Sequence, residues 1–308
     1  MELSRGDGSV NTLNAVHSGL AMGSIALLGD DEQKQRWLPE MAALRKLGAF
    51  ALTEPGSGSD SAAMKTTAVE ADGGYVLNGT KLFTTNSEQA GTFVVMATRD
   101  PGLRTRGIEG FIVEHDTPGL TINPQHGKMG IRATSTAELV FEDCRIPVGN
   151  RLGEEGEGYR IALKILDSSR IMIAAQCLGL AKGAYEAALS YSKQRETFGR
   201  PIATRQAIQF MLADMAIELD AARLLTWRAA ALYDEGLPHG KEAAMAKVYA
   251  SEAAGRIASK ALQIHGGVGY FKPSVVERIY RDQRVTEIYE GTSEIQRLVI
   301  SRALIGEL

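Results

Sequence analysis

Gly153-Glu154-Glu155-Gly156-Glu157-Gly158 separates two sequence textures, and that separation decides the fold. Downstream, Tyr159 to about Ser192, Gln206 to Glu235, Lys241 to His265 and Ser293 to Leu308 are long segments of helical period, with Gly236-Leu237-Pro238 and Gly266-Gly267 as terminators. Four such helices in succession predict an up-and-down bundle. Upstream, from Ala49 to about Leu152, the pattern is one of short β-branched and aromatic runs: Gly74 to Leu77, Phe93 to Thr98, Gly110 to Val113 and Ala137 to Phe141. Asp72-Gly73-Gly74 and Asn78-Gly79 are turn signals, so this zone reads as an antiparallel sheet or small barrel. From Asn14 to Leu47 the period is helical again: Asp30-Asp31-Glu32 can open a helix, and Trp37, Leu38 and Met41 follow at helical spacing. The expected class is α+β and multidomain, with boundaries giving 1–48, 49–152 and 153–308.

With 308 residues, 44% hydrophobic and 23% charged, the chain has an ordinary globular balance. A net charge of -3 and a pI near 6.0 argue against a nucleic-acid binder, for which a basic patch supplies most of the affinity. Cys144 and Cys177 form no metal-ligand spacing and read as buried small hydrophobes in a reducing compartment. No metal site is expected. No apolar run approaches the roughly 20 residues that span a bilayer, so the expectation is a soluble, intracellular protein without a membrane span.

Near the C-terminus, Ile288-Tyr289-Glu290-Gly291-Thr292-Ser293-Glu294-Ile295-Gln296-Arg297 places a carboxylate in a turn before a helix. Ser293 and Gln296 have capping-box spacing, and Ile295, Leu298, Val299 and Ile305 recur on one face, so the helix should begin near Ser293 with Glu290 outside it. A carboxylate between an aromatic residue and a glycine can approach a ligand closely, and desolvation there would raise its pKa toward that of a base. The plainer alternative is a surface glutamate near a positive helix end.

Three further segments suit a ligand. Thr53-Glu54-Pro55-Gly56-Ser57-Gly58-Ser59-Asp60 follows an apolar run and offers hydroxyls and open backbone amides, but fits neither a Walker loop nor a dinucleotide fingerprint. Arg195-Glu196-Thr197-Phe198-Gly199-Arg200-Pro201-Ile202, with Gln206 beyond, puts two arginines beside an aromatic ring, suited to phosphate or carboxylate and equally to an interhelical ion pair. Gln263-Ile264-His265-Gly266-Gly267-Val268-Gly269-Tyr270 ends a helix in glycines, with His265 read as a capping residue. Asp167-Ser168-Ser169-Arg170 reads as an intrahelical charge pair.

These segments, in this order and with Tyr289-Glu290-Gly291-Thr292, resemble the acyl-CoA dehydrogenase family from Asp30 to the C-terminus. Lys128-Met129-Gly130-Ile131-Arg132-Ala133-Thr134-Ser135-Thr136-Ala137-Glu138-Leu139, then Phe141-Glu142-Asp143 and Leu152-Gly153, resemble its middle domain. The resemblance implies a β-barrel domain followed by a four-helix bundle, after the remnant of an N-terminal helical domain whose first helices the chain would lack. It implies FAD, an acyl-CoA substrate, an electron-transfer flavoprotein as electron acceptor and a homotetramer built as a dimer of dimers. The compartment implied is the cytoplasm, or the mitochondrial matrix in a eukaryote. Alternatives on the same scaffold are a flavin oxidase or monooxygenase, and an inactive flavin-binding fragment.

In that family the glutamate of the Tyr-Glu-Gly motif removes the α-proton of the thioester while the β-hydrogen leaves as hydride to flavin N5, which makes Glu290 the implied base. The implied cofactor contacts are Leu52, Thr53, Ser59, Phe83, Thr84, Thr85, Arg195, Phe198, Gln206, Gln263, Gly266, Gly267, Thr292 and Glu294. Ser59, Asp167, Arg170, Tyr289 and Gly291 are the implied substrate contacts. One subgroup carries its base on a bundle helix, directly before the arginine of Asp-x-x-Arg; here that position is Ser169, so Glu290 has no competitor.

Overall fold

The computed structural model describes residues 1–306, so the last two residues of the helix expected to reach Leu308 lie outside the described residues. The chain divides into two compact units: a sheet unit of Leu13–Lys128 with Ala133–Leu166, and a helical unit of Met1–Thr12, Met129–Arg132 and the chain from Asp167 onward. Two short helices, α1 (Glu2–Gly6) and α2 (Gly8–Asn14), open the chain.

In the sheet unit, a π-helical stretch (Ala15–Met22) and α3 (Gly23–Leu28) precede α4 (Asp31–Ala42). The expected start of α4 holds: Asp30 caps it, accepting from the Gln33 N–H while the Gln33 amide oxygen accepts from the Asp30 N–H. The strands are β1 (Leu47–Ala51), β2 (Thr67–Ala71), β3 (Gly74–Thr85), β4 (Ala90–Thr98), β5 (Ile108–Glu114), β6 (Leu120–Pro124), β7 (Thr136–Pro147) and β8 (Arg151–Leu152). They order as β6-β7-β3-β2-β4-β5-β8, with β1 added on β4.

The sheet character of this zone is as expected, but its closure into an antiparallel barrel is not. Among the described residues no ladder joins the two ends, β6 and β8. The reason lies at β4: β1, arriving after a helix, runs parallel to it from Ala90 to Val95, and β2 reaches it only at Thr67 and Thr98. Strand β4 is apolar on both faces by its two-residue period. Val94 and Met96 join a core with Ile25, Trp37 and Met41 of the preceding helices, whereas Phe93, Val95 and Ala97 join Leu77, Leu139 and Phe141. Asp72-Gly73 makes the expected β2–β3 turn. Asn78-Gly79 does not turn: it is a bulge inside β3, where Gly79 at φ +146° lets the backbone pass so close to Thr66 that a Cβ would sit 2.6 Å from its Oγ1.

The helical unit takes most of α5 (Gly158–Gln194), then α6 (Gln206–Asp234), α7 (Gly240–His265), α8 (Gly267–Tyr270), α9 (Val275–Gln283) and α10 (Ser293–Ile305). The four long helices form within two residues of their expected starts. Buried alanines line α7 at 243, 246, 250, 254, 258 and 261, and α6 and α10 pack on it over these small side chains. The sequence reading missed α9. Its buried Val276 and Ile279 fix it in the core, and Asp282 accepts the Ile131 N–H at 2.6 Å, so α9 delivers the following segment to a defined place.

Candidate active site

Glu290 lies where α9 and a 3-10 turn (Arg284–Glu287) run out, at φ +51°, followed by Gly291 at φ +93°. Two consecutive residues in the left-handed region reverse the chain sharply, at a cost that glycine avoids and glutamate does not. The turn is held from several sides. Lys247 Nζ on α7 donates to the Gly291 carbonyl at 2.7 Å, and Gln296 Nε2 donates to the Gly291 and Glu290 carbonyls at 2.9 and 3.2 Å. A Cβ at Gly291 would meet that amide at 2.6 Å, so the position takes only glycine. The expected capping box at Ser293 is not formed. Thr292 is the cap, accepting from the Ile295 N–H at 3.4 Å, so Ser293 is already the first helical residue, and Gln296 donates its Nε2 to the turn carbonyls instead.

Next to Glu290, the Tyr289 hydroxyl donates to Gln176 Oε1 at 2.7 Å, and Gln176 Nε2 donates to Thr12 Oγ1 at 2.8 Å. On α5, Arg170 is 5% exposed and pairs with Asp167 at 2.5 Å, the intrahelical charge pair expected from spacing, while its Nε finds no partner among the described residues. The Glu290 carboxyl accepts from Ser169, and its Oε2 is buried with no partner among the described residues. Burial raises the Glu290 pKa, against the Ser169 hydrogen bond and the positive charges of Lys247 and Arg170. The Asp167 pKa is also raised by burial, opposed by Arg170 and His239. The helical unit thus holds a desolvated carboxylate among two buried cations. That arrangement can accept a proton from a weak carbon acid.

Elsewhere in this unit, Glu196–Thr197 pairs with Arg200–Pro201 in a short hairpin with Phe198 at its tip, 96% exposed and at φ +51°. The guanidinium over its ring, 5.5 Å from the centroid, is that of Arg205, which also donates to the Thr197 carbonyl at 3.0 Å. The arginine over the ring is thus Arg205, the residue before α6, and not Arg195 or Arg200 as the segment's composition suggests. Gln206 opens α6 and is exposed. Gln263 is exposed in the last turn of α7, Gly266 terminates that helix at φ +58°, and Gly267 opens α8. His265 does close the helix, its Nδ1 bonded to the Ala261 carbonyl and its ring stacked on Tyr191. Glu294 is exposed in the first turn of α10.

In the sheet unit the Thr53–Asp60 loop meets β3. The Thr53 carbonyl accepts the Leu82 N–H at 2.8 Å, bringing Leu52 and Thr53 beside the Phe83-Thr84-Thr85 run. Phe83, at φ +56°, is 64% exposed, and Thr84 is buried with its Oγ1 unpartnered among the described residues. Thr85 pairs with Thr136 at the end of β3, and Ser59 lies exposed in the loop. An ion pair that the sequence reading missed holds the loop. Glu54 accepts from Lys81 Nζ at 2.7 Å and from the N–H groups of Lys65 and Thr66, and Lys81 also donates to the Leu52 carbonyl. Burial pushes the Glu54 pKa up, but Lys81 and the N–H donors outweigh it and leave it low. Lys247 was missed too, although a sequence signal existed: it falls on the same helical stripe as Ala243, Ala246, Ala250 and Ala254.

Cys144 and Cys177 are both buried free thiols, as expected. No helix among the described residues is long and apolar enough to cross a membrane.

Models of three domains of one family match this chain: acyl-CoA dehydrogenase N-terminal domain over residues 1–45, middle domain over 49–144 and C-terminal domain over 156–305. It is 51% identical over 304 residues to the mitochondrial short-chain specific acyl-CoA dehydrogenase of Rattus norvegicus, covering 99% of this chain and 74% of that protein. Among solved structures, butyryl-CoA dehydrogenase from Megasphaera elsdenii is 43% identical at a TM-score of 0.97, over 99% of this chain and 80% of that one. A chain from work on the electron transferring flavoprotein of Acidaminococcus fermentans is 46% identical, also at 0.97 and over the same shares. A glutaryl-CoA dehydrogenase from Mycobacterium smegmatis, in complex with FADH2, is 34% identical at 0.94, over 99% and 78%. A helical segment, a sheet domain and a helical bundle in this order, at this identity, mean that the chain belongs to the acyl-CoA dehydrogenase family, whose members carry out FAD-dependent dehydrogenation of acyl-CoA thioesters.

Proposed function

We propose that Glu290 is the base that removes the α-proton from a short-chain acyl-CoA thioester. The observation that carries this reading is the buried, unpartnered Glu290 Oε2 on a left-handed turn beside two buried cations. An α-proton next to a thioester is weakly acidic, so its removal needs a base freed of water and donors that polarise the carbonyl. Burial supplies the first: it favours protonated Glu290 and so strengthens its carboxylate as a proton acceptor. The backbone N–H of Glu290 is the proposed donor to the thioester carbonyl. The proton passes from the substrate α-carbon to a Glu290 carboxylate oxygen. Ser169 orients that carboxylate from α5, and Arg170, fixed by Asp167, with Tyr289 and Gly291 lines the substrate side.

FAD, when bound, supplies the acceptor for the β-hydrogen and two electrons. The residues present fit it. Phe83 holds an exposed ring in a strained conformation next to the unpartnered Thr84 hydroxyl, with Leu52, Thr53, Thr85 and Ser59 nearby on the same loop cluster. Arg195, Phe198, Gln206, Gln263, Gly266, Gly267, Thr292 and Glu294 are the proposed contacts on the helical unit. The short-chain substrate class rests on the relatives named for it, and an electron-transfer flavoprotein as acceptor rests on the Acidaminococcus relative. A homotetramer is supported by exposed Phe210, Ile217 and Leu224, spaced by seven along α6 as an uncovered apolar stripe.

Glu290→Gln tests the assignment. Flavin absorbance of the purified variant should match that of the wild type, and butyryl-CoA should no longer bleach it, a loss of at least about 10²–10⁴-fold in rate. Full bleaching by the variant would remove Glu290 from the reaction.

A further inference from the structure

Lys247 has a place in the helical unit that its helix does not explain. The residue is 0% exposed in the middle of α7, on the stripe otherwise filled by alanines. Among the described residues no carboxylate lies within ion-pair distance of it, and it donates to the Gly291 carbonyl at 2.7 Å. A fully buried ammonium without a salt bridge opposes folding, so a chain that carries one at the turn behind Glu290 gains something there other than stability.

Resting on the reading of Glu290 as the base, we propose that Lys247 is the positioning residue of the reaction: it pins the Gly291 carbonyl from α7 and presents a fixed positive charge to the Glu290 carboxylate. The geometry divides the work. Gly291 at φ +93° and Glu290 at φ +51° form a turn that no regular ladder supports, and Lys247 and Gln296 are the two side chains holding its carbonyls. Loss of one restraint lets the carboxylate move, and a displacement of about 1 Å at the reacting atoms costs on the order of 10²-fold in rate. The charge acts separately. The groups facing Glu290 are Ser169 and Arg170 from α5 and Lys247 from α7; Arg170 is paired with Asp167 at 2.5 Å, whereas Lys247 has no carboxylate at ion-pair distance among the described residues. Glu287 and Cys177 also face Lys247, the second as a neutral thiol, its pKa pushed up by burial to about 11. The cation favours ionised Glu290 before turnover.

The test compares Lys247→Met and Lys247→Gln with the wild-type holoenzyme. The measurements are the FAD content, the thermal midpoint, and kcat and KM for butyryl-CoA across pH with an artificial electron acceptor. Methionine removes donor and charge; glutamine keeps an N–H donor for the Gly291 carbonyl. Lys247→Met should keep FAD and lose about 10–100-fold in kcat with little change in KM. The acidic limb of its rate profile should move to higher pH, because Glu290 loses a stabilising cation. Lys247→Gln should recover most of kcat at high pH while keeping the displaced limb. Wild-type kcat and an unmoved limb in both variants would overturn the proposal. So would variants that fail to bind FAD or to fold, because that outcome makes Lys247 a structural residue. Glu290→Gln, measured alongside, separates the two readings: if that variant stays active the base is wrong, whereas if it is inactive and the Lys247 variants match wild type, only the positioning role fails.

Discussion

Lys81 in the sheet unit and Lys247 in the helical unit are both fully buried, and burial pushes the pKa of each down to about 8. They differ in what meets the ammonium. Lys81 is met by the Glu54 carboxylate and the Leu52 carbonyl, and Glu54 is bonded in turn to two backbone N–H groups, so every strong acceptor in that cluster is used. Lys247 is met by one carbonyl and faces a carboxylate with an unpartnered oxygen. A compensated buried charge clamps a loop; an uncompensated one leaves a site able to respond when a proton arrives.

The largest expected effect falls on the clamp. Lys81→Met leaves Glu54 as an unpaired buried anion and should cost about 3–5 kcal/mol, read as a fall in thermal midpoint and loss of FAD. Adding Glu54→Gln should restore part of it. Lys247→Met leaves no unpaired carboxylate at ion-pair distance. Its lost hydrogen bond, worth about 1 kcal/mol, is outweighed by release of a buried cation without a salt bridge, so the variant should be at least as stable as wild type even as its rate falls. Equal destabilisation of the two variants would erase the contrast. The smallest effect concerns His17 in the sheet unit, which burial keeps neutral. Its Nδ1 accepts from the Gly48 N–H at 2.9 Å, so Nε2–H must be the donor to the Met41 carbonyl at 3.1 Å. Burial lowers its folded pKa despite the Met41 bond, so the unfolded chain takes the proton first. Stability should therefore be complete above the unfolded value of about 6.5 and decline as pH falls below it. Urea midpoints measured down this range should show the decline in wild type and not in His17→Gln.

Periodicity made the long helices and most strands legible, because burial on one face repeats at 3.6 or 2 residues. The turn before α10 was legible for the same reason, since Glu290 falls outside the apolar period. Local chemistry was read less well. Asn78-Gly79 has the composition of a hairpin turn, yet the strand continues through it because Gly79 relieves a crossing with Thr66 that lies elsewhere in sequence. Capping falls on Thr292 and not Ser293, because two adjacent hydroxyl residues offer a cap at either position and the helix begins at the second of them. The open sheet depends on which edge of β4 is taken by β1, a contact 43 residues long from Leu47 to Ala90 that no local pattern encodes. Glu54 with Lys81, and Lys247 with Gly291, are likewise long-range pairs. The turn that carries Glu290 could be placed from the helical period, whereas Lys247, which holds its Gly291 carbonyl across 44 residues of sequence, could not, apart from the interruption it makes in the alanine stripe.

The central claim is that a desolvated Glu290 takes the α-proton, and the pH dependence of single-turnover flavin reduction by butyryl-CoA tests it most directly. Because the base must be ionised and burial raises its pKa, the rate should climb with pH along a limb lying above the ordinary glutamate value of about 4.3, and that reduction should vanish in Glu290→Gln. A rate that is flat from about pH 5 upward, or a limb that persists in Glu290→Gln, would contradict it.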